Sequence, residues 1–186
     1  EKPKWTRPGH TIDRNEEASR YARFRSLFIF AMVAAIIGLR EPGELRKVVL
    51  HWRPAALVGI SGGATIGVDL EFANRRSGKP LSLARRYFSA AETEALSALP
   101  EDELHCAFMH AWACKEAVVK ASGLGIANQL CRFTVDVNRD NPPAVLDMQD
   151  DDPAAWCLAV VKPVHGAIAA VAVRQQNLRL EGFSLK

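Results

Sequence analysis

Trp112–Gly125 reads WACKEAVVKASGLG, and Gly67–Glu71, about forty residues upstream, reads GVDLE. In the first stretch Trp112, Glu116 and Lys120 recur at i, i+4 and i+8, so they lie along one stripe of a helix. Gly123-Leu124-Gly125 stops that helix, which carried outward runs from Glu101 to Ser122. In the second stretch strand alternation sends Ile66, Val68 and Leu70 to one face and Asp69 and Glu71 to the other. Two readings of the carboxylates stand side by side. They are ordinary alternation at an exposed face, or hard oxygen ligands whose repulsion a cation such as Mg²⁺ relieves. Glu116 and Lys120 likewise form either a surface ion pair, worth about 0.3–0.5 kcal/mol, or part of a charged functional stripe beside Lys115.

Outward from these two stretches the chain reads as helix, strands, helices, strands. Glu16 to Leu39 is expected as a helix, opened by Glu16 and Glu17 and closed by Gly38. Its apolar run, Leu27 to Leu39, has 13 residues, whereas a membrane span needs about 20, so a helix buried on most faces is expected and no membrane association. Leu45 to Leu50 and Ala55 to Ile60 are expected to pair as strands, followed by a tight connection at Ser61-Gly62-Gly63. After the basic loop Asn74 to Pro80 come helical pieces Ser82 to Phe88 and Ala90 to Leu99. Ser89 is the expected N-cap of the second, with Glu92 in the capping-box position. Arg132 to Val137, Val145 to Met148, Trp156 to Val161 and Ala167 to Arg174 read as strands. The pattern indicates an α+β fold with mostly antiparallel sheet.

The 186 residues, 48% hydrophobic and 24% charged, suit one globular domain or two small lobes. A net charge of +3 is too weak for nucleic-acid binding. Cys106, Cys114, Cys131 and Cys157 include no C-x-x-C pair, which argues against zinc or a disulfide framework and for a reducing, cytoplasmic setting.

Taken together, GVDLE (Gly67 to Glu71), YFSAAE (Tyr87 to Glu92) and WACKEAVVKASGLG (Trp112 to Gly125) resemble, in order and spacing, the motifs of the 4′-phosphopantetheinyl transferases. Trp112 is similar to the Sfp type, which has two lobes in one chain. Arg20 to Glu44 is similar to the family's arginine-led helix, and Leu50-His51-Trp52 stands where the family has a histidine flanked by serines, here without those serines. The family's Gly-Lys-Pro element lies upstream of that histidine; here the sequence occurs only at Gly78 to Pro80. The resemblance implies two lobes, each a small antiparallel sheet packed on a long helix. Residues 1–62 would form a reduced first lobe, and 63–186 the lobe with the metal site.

The resemblance also implies the chemistry: transfer of the phosphopantetheine arm of coenzyme A to a serine of an acyl or peptidyl carrier protein, with Mg²⁺. Asp69, Glu71 and Glu116 would hold the metal, and Glu116 would act as base. Lys120, Lys115 and His51 would meet phosphate, Lys120 and His51 taking part in catalysis. Arg25 and Ser26 would touch the nucleotide end of coenzyme A. The basic stretch Asn74 to Arg86 would meet an acidic carrier protein. A monomer is expected, with a dimer completing the short first lobe as the alternative. Two rival functions stay open: a non-catalytic homologue that binds carrier protein or coenzyme A, and a metal-dependent phosphohydrolase with water as nucleophile.

Overall fold

The long helix forms over Glu101–Ser122 because its ends and its middle agree. Glu101, Asp102 and Glu103 occupy the first turn, where the helix dipole favours negative charge, and Lys120 the last. Gly123 ends it with φ of 71°, a left-handed conformation that glycine adopts without a Cβ penalty. The computed structural model describes residues 31–36, 45–52, 55–72, 79–123, 129–176 and 179–184. Within them lie three α-helices: α1 (Pro80–Tyr87), α2 (Ala90–Ser97) and α3, the long one. The strands are β1 (Ala31–Ile36), β2 (Leu45–Trp52), β3 (Ala55–Gly62), β4 (Ile66–Phe72), β5 (Phe133–Val135), β6 (Val145–Met148), β7 (Cys157–Val161), β8 (Ala167–Val173) and β9 (Leu180–Ser184). Among these helices none is long and apolar enough to cross a membrane.

The strands form a sheet of order β2-β3-β1-β9, a second of order β4-β8-β7, and the β5-β6 hairpin. The α+β reading holds, and the pairs β2–β3, β4–β8, β7–β8 and β5–β6 are antiparallel as expected. One expectation is corrected: Ala31–Ile36, read as the end of a helix from Glu16 to Leu39, is strand β1. It runs parallel to β3 and antiparallel to β9. An apolar run with neither a 3.6 nor a 2 residue period carries no directional signal, so its partners decide its state. The remainder of that expected helix, 16–30 and 37–39, lies outside the described residues. Strand β9 has no counterpart in the sequence reading. It joins the first sheet from the far end of the chain, so that sheet draws on both sides of the expected 62/63 boundary.

Helix α3 lies on β4 and β8 through small residues. Gly67 faces it, as do Ala170 and Ala172, which pair with Asp69 and Gly67 across the ladder. The opposite face, Ile66, Val68 and Leu70 with Ala169, Val171 and Val173, packs against Leu57 of β3 as a second core. Gly59 of β3 meets that core so closely that a Cβ there would sit 2.8 Å from a methyl of Val68. An aromatic group joins α1 to α3. Phe88 stacks on Phe108 with centroids 5.3 Å apart, and Tyr87 meets Trp112 edge-on at 5.9 Å.

His110, on α3, is 3% exposed, and among the described residues its Nε2 has no hydrogen-bond partner. Burial pushes its pKa below 6.5, and Arg139 adds to this against the opposing charge and backbone hydrogen bond of Asp136. With the folded pKa below the unfolded one, stability is unaffected above about pH 6.5 and falls as pH drops below it, because the unfolded chain takes up the proton first. Relative to His110→Gln, the melting temperature of wild type is therefore expected to fall as pH drops from about 7.5 to 5. Equal slopes in the two proteins would show that His110 does not drive the effect.

Candidate active site

Strand β4 and helix α3 between them carry all four charged residues expected at the centre of the chemistry. The alternation of β4 turns Asp69 and Glu71 toward α3, on the face that Gly67 keeps free of a side chain. On α3, Glu116 and Lys120 stand one turn apart on the face toward β4. The carboxylates are almost closed off from solvent, with Asp69 4%, Glu71 5% and Glu116 6% exposed. The exposed-face reading of Asp69 and Glu71 is thus excluded.

Lys120 Nζ lies 2.5 Å from Asp69 Oδ1 and 3.9 Å from Glu116 Oε2. The ammonium therefore bridges a strand carboxylate and a helix carboxylate, and the reading of Glu116–Lys120 as a solvated surface pair gives way to a half-buried cluster. Burial raises the Asp69 pKa to about 7 against the pull of Lys120, with Glu71 and Glu116 adding repulsion. Asp69 Oδ2 is buried and, among the described residues, has no hydrogen-bond partner. Such an oxygen, beside two further buried carboxylates, suits a hard divalent cation that takes oxygen ligands. As the side chains stand, no group of three or more His, Cys, Asp or Glu among the described residues is close enough to hold a metal ion. Lys120 supplies the positive charge instead.

A family model described as the 4′-phosphopantetheinyl transferase superfamily matches residues 65–173, a span that runs from the start of β4 to the end of β8 and encloses this whole cluster. The chain belongs to that superfamily. Among proteins of known name it is 34% identical over 123 residues to the 4′-phosphopantetheinyl transferase HetI of Nostoc sp., covering 66% of this chain and 49% of that protein. It is 35% identical over 98 residues to the 4′-phosphopantetheinyl transferase psf-1 of Bacillus pumilus, covering 52% and 40%. The chain thus spans about half the length, or less, of these curated relatives. Among solved structures, a holo-(acyl-carrier-protein) synthase from Bacillus anthracis in complex with CoA aligns over 61% of this chain and 98% of that one, with TM-score 0.47 and 21% identity.

The other expected phosphopantetheinyl transferase residues fall in different places. His51 lies on β2 opposite Ala56 of β3. Arg25 and Ser26 lie outside the described residues, as does most of the basic loop before α1, whereas Arg85 and Arg86 are exposed in the last turn of α1. Lys115 was expected beside the phosphates. The structure instead buries it at 0% exposure, with Nζ donating to both oxygens of Glu92 and to the Phe133 carbonyl. It points about 100° around α3 from Glu116, away from the face toward β4. The sequence carried a signal for this: Lys115 has Ala111, Val118 and Val119 at i−4, i+3 and i+4, so a lone charge sits on an apolar stripe. Glu92 forms the expected capping box with Ser89, and its pairing with Lys115 is the part that the local pattern did not give.

Proposed function

We propose that this chain transfers the phosphopantetheine arm of coenzyme A to a serine of an acyl or peptidyl carrier protein, releasing adenosine 3′,5′-bisphosphate. The observation that carries the reading is the burial of Asp69 and Glu71 on β4 and of Glu116 on α3, with half-buried Lys120 in contact with Asp69 and Glu116. The superfamily match over the same residues and the names of the relatives support it.

The chemistry to be met is attack by a hydroxyl on a phosphorus that already carries negative charge. Asp69, Glu71 and Glu116 would hold Mg²⁺, which when bound neutralises pyrophosphate charge. Glu116, directly or through a water, takes the proton of the carrier serine as its oxygen bonds to the phosphorus of the pantetheine phosphate. The bond from that phosphorus to the bridging oxygen breaks, and the bisphosphate leaves with the electron pair. Lys120, 27% exposed and in contact with Asp69, pairs with oxygens of the leaving group. His51 on β2, and Arg25 and Ser26, complete the proposed contacts to coenzyme A.

Intact-mass measurement of an apo carrier protein incubated with this chain, coenzyme A and Mg²⁺ tests the reading. A gain of one phosphopantetheine arm, abolished by chelator, is expected. Bound coenzyme A without any gain across fatty-acid, polyketide and peptide-synthesis carriers would favour the non-catalytic homologue. Release of phosphate from coenzyme A without carrier would favour the phosphohydrolase.

Lys120→Ala is expected to lower the transfer rate roughly a hundredfold, as the loss of one preorganised cationic donor does elsewhere. Divalent-ion affinity should change far less, since the three carboxylates remain. Titration calorimetry beside the rate assay checks this, and equal losses in both would assign Lys120 to holding Asp69 and α3 in place.

A further inference from the structure

A fully buried charge pair lies behind the carboxylate cluster, on the other side of α3. Glu92 and Lys115 both have 0% of their side chains exposed and meet at 2.7 Å. The Glu92 carboxylate does more than neutralise the lysine. Its Oε2 accepts from the Ser89 N–H at the start of α2, and its Oε1 from the Val135 N–H of β5, each at 2.8 Å. Lys115 Nζ donates to both oxygens and to the Phe133 carbonyl, and lies 4.1 Å from the centre of the Phe133 ring and 5.3 Å from that of Phe88. One ion pair thus ties together the start of α2, strand β5 and the middle of α3, with every hydrogen-bonding group directed.

We propose that this pair is the positioning device for the transfer site: it fixes the rotation of α3 about its own axis, so that Glu116 and Lys120 face Asp69. The idea rests on the transferase reading for its kinetic test. Lys115 and Glu116 are consecutive, so any turn of α3 that moves Glu116 away from β4 swings Lys115 out of its three hydrogen bonds. Apolar residues of similar volume would fill the same space, and buried ion pairs stabilise little relative to such packing. What the pair adds is direction, which greasy contacts lack. Its polarity is also set. Two backbone N–H groups point at position 92 and one carbonyl at position 115, so exchanging the two residues would leave those groups unmet.

The test compares wild type with Glu92→Gln/Lys115→Met, which removes both charges and keeps an acceptor at position 92. The double variant is expected to melt cooperatively. Its kcat should fall by about tenfold or more, its KM for carrier protein should stay unchanged, and Mn²⁺ binding followed by electron paramagnetic resonance should weaken by about tenfold or more. A folded variant with kcat and Mn²⁺ affinity close to wild type overturns the proposal. So does recovery of kcat in the exchanged variant Glu92→Lys/Lys115→Glu, which would reveal a plain ion pair. Hydrogen exchange on wild type decides the matter if the variants do not fold. The Ser89 and Val135 amides are expected to exchange as slowly as those in the middle of α3, and faster exchange there overturns the proposal. Wild type that binds Mn²⁺ yet loads no carrier protein removes the transferase reading alone, leaving the Mn²⁺ and exchange results to judge the positioning role. Wild type that does neither overturns both.

Discussion

Gly67→Ala is expected to yield little folded protein, and what folds should have lost the contact between β4 and α3. A Cβ at this position would lie 1.9 Å from the Ala117 carbonyl oxygen and 2.5 Å from the Ala121 nitrogen. Both are backbone atoms of a helix, so no side chain can swing aside to make room. Overpacking a core ordinarily costs about 1–3 kcal/mol, and here the strand or the whole helix must shift. The penalty should therefore reach or exceed the upper end of that range. The consequence reaches the site, because the neighbours of Gly67 and Ala117 in sequence include Asp69 and Glu116. Thermal melts followed by circular dichroism, with Mn²⁺ binding on whatever remains folded, check the expectation. A variant that melts within a few degrees of wild type would show that α3 and β4 are not in this close contact.

Glu116→Ala is expected to remove transfer almost completely while leaving the fold in place. The residue is assigned two tasks, an oxygen ligand and the base for the serine. Loss of general-base catalysis alone is worth roughly 10²–10⁴ in rate. Stability should change little by comparison, since the contact of Lys120 with Asp69 at 2.5 Å survives the substitution while the longer one of 3.9 Å goes. The measurement is carrier-protein loading by intact mass, beside a melt of the same preparation. Near-normal loading in the presence of Mg²⁺ would overturn the assignment of Glu116.

Much of the second half of the chain was legible because its signals are local. The capping box of Ser89 and Glu92, the acids in the first turn of α3 and the glycine at its end each act within a few residues. Alternation in GVDLE likewise put Asp69 and Glu71 on one face before any partner was known. The first half resisted for the opposite reason. The apolar residues Ala31–Ile36 satisfy a helix or a strand equally well, and β3 on one side and β9 on the other select the strand. Leu180–Ser184 is short, contains Gly182 and becomes a strand through β1.

By itself the sequence determined the α+β class, the order of elements from β4 to β8, and two charged pairs, Asp69 with Glu71 on one strand face and Glu116 with Lys120 on one helix stripe, because turn chemistry and side-chain periodicity are properties of neighbours in the chain. Tertiary structure alone decided that Asp69 and Glu116 are buried and that Lys120 bridges them. It also decided that Lys115, one residue from Glu116, belongs to the core with Glu92. Periodicity says which residues lie on a common face and nothing about what packs against it. Burial and the choice of partner come from contacts between segments far apart in sequence, here 51 residues for Lys120 and Asp69 and 23 for Lys115 and Glu92.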